Sequence, residues 1–537
     1  MPQVDPRDDQ SVGKVLAKRV ESHGDAPFLI CDDDVVFSYR DADRASNRVA
    51  NALAGLGIQP GETVLVMMPN VAEFAFVWLG LGKCGAIQVP VNTAYRGNLL
   101  VHVMNDSSAS TMIVEAQFLE RVADVADKLE HLERLIVFDR VGGAVSIPAP
   151  LASMRHVDFA TLLEAPETPR ECLPSYRDIK AVMYTSGTTG PSKGVMITHA
   201  HAYTYAHGGV DLMDLAPGDV YYAPLPLFHI AGQWAMVYAA MIGGAAAVIT
   251  ERFSVERFWY DAKRFNASVT FFLGAMANFL SGQPEQPDDK DTPIDRALVV
   301  PMFPEVYAFG KRFGMRIKTT YGSTEVNAPH RLDYDHPDWK TCGYLDDEFF
   351  EAKIVDEHDE EVPNGTVGEF CIRAKEPWLL MAGYWRHPEW TETAWRNLWL
   401  HSGDAMYRGD DGFYYFADRV KDSIRRRGEN ISSMEVENEV NSHPAVLESA
   451  VFPVPSEHTE DEVMASIVVK EGEALDPIDL IRFLEPRMAY FMVPRFVDIV
   501  TALPKTPTGK IQKFELRGQG VTPTTWDRES AGIKLKR

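Results

Sequence analysis

Cysteine is scarce and scattered in this chain: five residues, at positions 31, 84, 172, 342 and 371, with no Cys-x-x-Cys pair. That excludes a zinc box of thiolate pairs and any evident disulfide framework, and it fits a reducing cytoplasm. Long apolar runs are missing too. The most membrane-like stretch, residues 234–249, is short and divided by Gly243-Gly244, so it reads as a buried helix, a turn and a buried strand. The first ten residues hold no apolar core of the kind a signal peptide needs. Basic charge is in short supply: 53 Lys and Arg against 77 Asp and Glu leave −24. A surface for nucleic acid or anionic membrane is therefore not expected, and any site for a polyanion must be built from local cations. Internal repeats and low-complexity tracts are absent.

What is present suits a large soluble enzyme. A length of 537 residues exceeds one hydrophobic core, and 45% apolar with 24% charged residues is ordinary globular composition. Residues 10–40 predict a helix and a strand pair, and 39–56 a helix stopped by Gly57. Strands at 63–68, 85–91 and 111–114 alternate with helices at 71–82 and 99–105, a rhythm that implies parallel sheet. Residues 140–175 read as Pro-rich surface loop. The alternation resumes with strands at 179–183, 195–197, 220–224, 245–249 and 269–273, and helices at 228–242 and 255–265. Residues 365–373 and 412–416 look antiparallel and barrel-like. A smaller α+β pattern follows, with helices at 433–441 and 477–488 and strands at 446–454, 463–469 and 496–500; the tail from 518 reads as polar and mobile. The expected architecture is α/β: residues 1–420 as layered βαβ subdomains plus a small barrel-like β part, and residues 421–537 as a mobile α+β cap.

The densest chemical signal is residues 184–194, Tyr-Thr-Ser-Gly-Thr-Thr-Gly-Pro-Ser-Lys-Gly. Two glycine-limited turns packed with hydroxyls and closed by a lysine are poor core material. They suit a loop that wraps anionic oxygens with backbone N–H groups, hydroxyls and an ammonium. The spacing of Gly187, Gly190 and Lys193 is not that of a Walker A loop. A flexible surface turn is the bland alternative for any three of these residues, less so for all eleven in order. Thr198 can then cap a helix beginning near His199.

Four further blocks stand downstream: Thr320-Tyr-Gly-Ser-Thr-Glu325, His401-Ser-Gly-Asp404, the basic run from Asp418 to Ile431, and Leu503-Pro-Lys-Thr-Pro-Thr-Gly-Lys510. Each has an ordinary reading alone: a capped turn, a turn, a solvated charged face and an exposed loop lysine. Pro507 and Gly509 would pre-set a tight turn projecting Lys510.

Taken together the five blocks resemble the adenylate-forming superfamily of acyl-CoA synthetases, luciferases and peptide-synthetase adenylation domains, over nearly the whole chain. The resemblance implies ATP, Mg²⁺ and CoA as cofactor and co-substrates. Nucleotide would be held by Thr185, Ser186, Gly187, Thr188, Thr189, Gly190 and Lys193, by Tyr321, Gly322, Ser323 and Thr324, and by Asp404 and Arg419. Asp404 matches the acceptor of both ribose hydroxyls, a task suited to a carboxylate's two oxygens. Glu325 with the Thr185 hydroxyl would hold the metal. Lys510 would reach the reacting carboxylate and α-phosphate, with Lys193 and Glu325 sharing the catalytic work. Lys421 matches the hinge, and Arg425, Gly428, Glu429 and Asn430 the loop beside the CoA thiol arm.

His229, in Pro224-Leu-Pro-Leu-Phe-His-Ile230, reads alone as a satisfied core histidine; the resemblance makes it a gate at the mouth of an acyl pocket. No general base is required of it, because a carboxylate is already ionised at neutral pH. Trp234 and Tyr238 are expected to line that pocket, with Phe271 and Phe272 as further candidates. Many members carry a Gly-Gly-Ala-Pro-like turn before the Tyr-Gly block. Here residues 298–304 are Leu-Val-Val-Pro-Met-Phe-Pro, and no adenine contact is carried over from that turn. The Met-Phe pair, the run from Arg427 to Ser432 and Thr524-Thr-Trp-Asp-Arg528 look most like ligases grouped with crotonobetaine/carnitine-CoA ligase.

The leading expectation is an AMP-forming carboxylate–CoA ligase acting on a small-molecule acid, cytoplasmic, with no transmembrane segment and compatible with a homodimer. Rivals are a stand-alone adenylation enzyme loading a carrier-protein thiol, and a catalytically silent ligand-binding protein on the same fold.

Overall fold

Parallel strands whose carboxyl ends face one crevice organise the larger part of the chain. The computed structural model describes residues 4–535 except 143–144, 172, 186–191, 304, 420–422, 427–428, 457–459, 505–510 and 512. One eight-stranded sheet runs in the order Gly383–Tyr384, Lys193–Thr198, Ile179–Thr185, Ile87–Pro90, Thr63–Met67, Thr111–Glu115, Arg134–Phe138 and Arg155–Asp158. Its pairs are parallel apart from the two that Lys193–Thr198 makes with its neighbours. A seven-stranded sheet runs Arg316–Lys318, Arg296–Val300, Val269–Leu273, Val220–Tyr222, Ala246–Ile249, Pro27–Cys31 and Val36–Ser38, antiparallel only at its last pair. A third, six-stranded sheet is antiparallel and contains Gly368–Ala374, Leu400–Arg408 and Tyr414–Arg419.

Local chemistry explains the helices that join these layers. Ser38 caps Tyr39–Gly55 reciprocally with Asp41: the Asp41 N–H donates to Ser38 Oγ at 3.1 Å and the Ser38 N–H to Asp41 Oδ2 at 3.0 Å. Thr198 does the same service for His199–Met213, accepting from the His201 N–H. The helices Ala72–Cys84 and His199–Met213 are buried almost all round, which is why neither sequence shows a polar face. Lys83 is the exception in the first, and its ammonium is met by Asp43 and Asn47.

The small C-terminal part has its own apolar clusters and a four-stranded sheet, Val446–Pro455, Asp461–Val469, Phe496–Ile499 and Trp526–Asp527. A separate hairpin, Ser423–Arg426 with Glu429–Ser432, precedes the helix Ser433–Asn441. The chain is thus a mixed α/β protein with a large N-terminal and a small C-terminal domain, as the sequence implies.

Two expectations are corrected. The stretch 140–175 is not loop throughout: Arg155–Asp158 forms an edge strand parallel to Arg134–Phe138. The tail is not a loose end either. Trp526–Asp527 pairs with Phe496–Ile499, Arg528 is buried, and Ile533 and Leu535 pack on the small domain's core. Trp526, Ile533 and Leu535 are too few in a polar tail to set up a helical or strand period, so the pattern hid them.

The contact of Tyr39–Gly55 with Ala72–Cys84 depends on Gly80, where a Cβ would lie 2.7 Å from Val49 Cγ1 and 3.1 Å from the Ser46 carbonyl oxygen. Gly80→Val should force these helices apart at a cost of about 1–3 kcal/mol. The expected readout is an apparent melting temperature several degrees lower; an unchanged one would show that the helices repack freely.

Candidate active site

Both parallel sheets contribute their carboxyl ends to one cavity of about 180 Å³. From the seven-stranded sheet come Phe271 and Leu273, Leu298 and Val300, and the segment following Arg316–Lys318. Strand alternation decides which side chains point in: Phe271 lines the cavity, whereas Phe272 turns away onto Phe258 and Phe309. Asn70 ties the cavity's rim together. Its amide donates to the carbonyl oxygens of Leu225 and Thr250, and its oxygen accepts from the Leu227 N–H. Crevices at the carboxyl ends of parallel strands are where open α/β sheets bind ligands.

The polar end is assembled from three segments. Thr185 closes the strand Ile179–Thr185, and in the antiparallel pair it stands opposite Lys193, so the two ends of the glycine-rich loop are brought together. Ser186 to Gly190 lie outside the described residues. The Thr185 hydroxyl donates to Glu325 Oε1 at 3.1 Å, and Ser323 Oγ donates to Glu325 Oε2 at 3.1 Å. Ser323 also accepts from the N–H groups of Glu325 and Val326, which fixes the turn. Gly322 is required there, because a Cβ would lie 2.6 Å from the Asn327 carbonyl oxygen. Gly322, Ser323, Thr324 and Glu325 all line the cavity. The Lys193 ammonium lies over the rings of Tyr384, at 4.8 Å, and Trp390, at 5.5 Å.

The third segment comes from the antiparallel sheet. Asp404 is buried and accepts from the Tyr321 hydroxyl at 2.6 Å. Tyr321 is itself wedged edge-on against Phe370 and His330. Arg419 is directly opposite Asp404 in the strand pairing, and its side chain lies outside the described residues.

The other end of the cavity is apolar and built differently from expectation. Trp234 and Tyr238 do not face it. Both are buried outside its lining, edge-on to Tyr205 and Trp78 respectively. Ala231 and Ala235 line the cavity instead. The segment Ala231–Tyr238 is a π-helix, whose wider winding breaks the 3.6-residue face on which the expectation rested. Tyr205, Gly209 and Tyr221 form much of this wall. Sequence reasoning passed over them because a wholly buried helix and a short strand give no face to read. His229 is on the wall as expected. Its Nδ1 accepts from the Ala231 N–H, and burial, reinforced by the positive charge of Arg425, pushes its pKa down to about 4. It is therefore neutral at neutral pH.

Arg425 and Glu429, from the small domain's hairpin, complete the cavity mouth. Burial pushes the Glu429 carboxyl up to about 7, with Glu460 adding to the rise. Gly428, Lys421 and Lys510 lie outside the described residues, as does the Asn430 side chain.

Glu325 and Thr185 present two hard oxygens side by side. That donor set fits Mg²⁺, which takes one or two protein oxygens and fills the remaining positions with phosphate and water. Among the described residues the cluster with three metal-type donors is elsewhere, at Glu369, Cys371 and His401. There the Arg396 guanidinium already bonds Glu369, and His401 Nδ1 lies 2.9 Å from the same carboxylate.

An enzyme that uses ATP to join an acid to a thiol is the class that this fold and cavity define. The chain belongs to the AMP-binding enzyme family: residues 16–385 match the family itself and residues 435–510 its C-terminal domain. A crotonobetaine/carnitine–CoA ligase of Salmonella paratyphi A is 32% identical over 525 residues, covering 95% of this chain and 99% of its own. One of the same name from Salmonella typhi is 32% identical over 505 residues, covering 92% and 96%. Among solved structures, an anthranilate CoA ligase in complex with anthranoyl-AMP is 25% identical, with a TM-score of 0.69 over 97% of this chain and 98% of that one. An o-succinylbenzoate CoA synthetase from Bacillus subtilis, at 23% identity, shares the fold with a TM-score of 0.80 over 94% and 98%. The family resemblance carried by the five blocks is therefore borne out.

Two substitutions test the polar end. Glu325→Gln keeps the shape but removes the charge of a candidate metal ligand, so acid-dependent pyrophosphate exchange should fall by about 10²-fold and its Mg²⁺ requirement should rise. Asp404→Asn removes a charged acceptor worth about 1.5–3 kcal/mol, which should raise the KM for ATP about 10–100-fold. Equal effects of both variants on the KM for the acid alone would overturn these assignments.

Proposed function

We propose that this enzyme converts a compact carboxylic acid with an apolar or aromatic body into its CoA thioester, in two steps through an acyl-adenylate. The observation that carries the reading is the make-up of one cavity. Thr185, Glu325 and the Gly322–Thr324 turn stand at one end and an uncharged, ring-lined wall at the other, with Arg425 and Glu429 at the mouth.

In the first step the acid's carboxylate oxygen attacks the α-phosphorus of ATP and pyrophosphate departs. Thr185 and Glu325 would hold Mg²⁺, which when bound offsets phosphate charge. Lys193 and Lys510 would supply ammonium groups to the reacting phosphate, and Asp404 with Arg419 would hold the ribose. Neutral His229 walls the acyl group without taking a proton. In the second step the CoA sulfur attacks the acyl carbonyl and AMP leaves, a far better leaving group than oxide. A hinge at Lys421, dividing residues 1–420 from 421–537, would let the small domain withdraw Lys510 and bring the segment Arg425 to Asn430 to the thiol arm.

Apolar burial and ring faces favour the acyl body over a second carboxylate. Tyr205, Tyr221 and Phe271 would also receive a quaternary ammonium by cation–π attraction, the chemistry named by the Salmonella relatives. A panel of aryl, short alkyl and quaternary-ammonium acids, assayed with ATP and CoA, decides among these. AMP and pyrophosphate should appear in equal amounts with thioester for at least one class. Formation of ADP, or product only with a phosphopantetheinyl protein in place of CoA, would overturn the reading.

Lys510→Ala should lower adenylation about 10²–10³-fold while sparing thioester formation from supplied acyl-adenylate. A loss shared equally by both half-reactions would count against a small domain that serves them in turn.

A further inference from the structure

The antiparallel pair Gly368–Ala374 and Leu400–Arg408 is irregular where it passes the candidate ribose acceptor. Glu369 stands opposite Ala405 and Cys371 opposite His401, so Phe370 alone is matched by Ser402, Gly403 and Asp404. The surplus residues bulge, with Gly403 left-handed at a φ of 74°. Glu369 Oε1 accepts from the Gly403 N–H at 3.1 Å and so holds the bulge. Its other oxygen, Oε2, lies 2.9 Å from His401 Nδ1, and Cys371 Sγ lies 3.2 Å from the same nitrogen. Carboxylate, thiol and imidazole donor atoms thus fall within 4.8 Å of one another. Cys371 and His401 are buried, and Glu369 is partly so. The Arg396 guanidinium, on a side chain 42% exposed, stands 2.8 Å from Glu369 Oε2 and 3.2 Å from Asp359 Oδ1.

We infer that Glu369, Cys371 and His401 form a binding site for a thiophilic divalent cation, Zn²⁺ above all, that clamps the bulge carrying Asp404. A mixed set of sulfur, nitrogen and oxygen suits Zn²⁺ and disfavours Mg²⁺, which takes oxygens. Tetrahedral Zn²⁺ holds a nitrogen about 3.6 Å from a sulfur and about 3.3 Å from an oxygen, so roughly half an ångström of side-chain movement separates the cluster from coordination. Asp359 Oδ1, 3.9 Å from His401 Nε2, stands where a metal-bound imidazole finds the carboxylate that orients its other nitrogen. The cluster already attracts one positive charge, that of Arg396, and an exposed side chain can give way to another cation. With Oε2 on the metal, Oε1 keeps the Gly403 N–H, so both strands and the bulge are joined at one point. The role is structural, distinct from that of the oxygen pair Thr185 and Glu325.

Co²⁺ is the probe, because a cobalt–thiolate bond absorbs in the near ultraviolet; Mg²⁺ is kept in excess to cover sites made of oxygen alone. Full-length wild-type enzyme titrated with Co²⁺ should develop this band to a plateau at about one equivalent per chain, and Zn²⁺ should bleach it, since zinc binds such donors more tightly. Cys371→Ser should remove the band while retaining acid-dependent pyrophosphate exchange, which shows that the variant folds. Arg396→Ala changes an exposed side chain and leaves the core intact. It should tighten Co²⁺ binding about tenfold by withdrawing a competing positive charge. No band in the wild type, an undiminished band in Cys371→Ser, or unchanged Co²⁺ affinity in Arg396→Ala would overturn the inference.

Discussion

Thr185 and Glu325 close strands or turns at the ends of two different sheets, and the hydrogen bond between them is the constraint on which the rest of the site depends. It brings the mouth of the glycine-rich loop against the Tyr-Gly turn, so that a nucleotide's phosphates and a metal would share one edge of the cavity. Neither sheet could supply that edge alone. Parallel strands fix where their carboxyl ends lie, and the buried helices between the sheets fix the distance across. Asn70 and Tyr321 extend the same logic, one tying two loops at the cavity's apolar wall and the other delivering a phenol to Asp404, which a third sheet carries.

A chain of net charge −24 that handles ATP, pyrophosphate and CoA must hold its cations in place. Lys193 lies across the faces of Tyr384 and Trp390, whose ring quadrupoles attract and orient a cation. Carboxyl groups are treated in the opposite way. Glu429 and Glu435 are buried to the point that burial holds both up at about 7, against the ordinary carboxylate range. Groups poised there respond to small changes in nearby charge, and both sit on the small domain where it meets the cavity or the loop.

Much of this was legible in the residues themselves. The βαβ rhythm placed Ile179–Thr185 and Val269–Leu273 correctly because buried parallel strands are short apolar runs bounded by turn residues. Glu325, Asp404 and His229 came from motifs, and the structure brings each to the cavity or to Tyr321 beside it. The acyl wall was not legible. Which face of Ala231–Tyr238 meets the cavity depends on its π-winding, and Gly209 matters only for the room it leaves. The departed turn at residues 298–304 still reaches the site, since Leu298 and Val300 line the cavity by strand alternation whatever follows them. Contacts such as Ser192 with Glu435 leave no local trace at all, being set by how two domains meet.

That meeting has a character of its own. Beside the glycine-rich loop it is made by Ser192 with Glu435 and Asn98 with Glu439, and by the close approach of Gly97 to the Arg487 backbone. Polar interfaces of this kind release at small cost, because water replaces each hydrogen bond when the surfaces part, whereas an apolar seam would hold. The apolar side chains that cross, Leu99 and Tyr95, are carried by the segment that also presents Asn98 and His102. A joint of hydrogen bonds around a few apolar residues can be made and broken within a catalytic cycle.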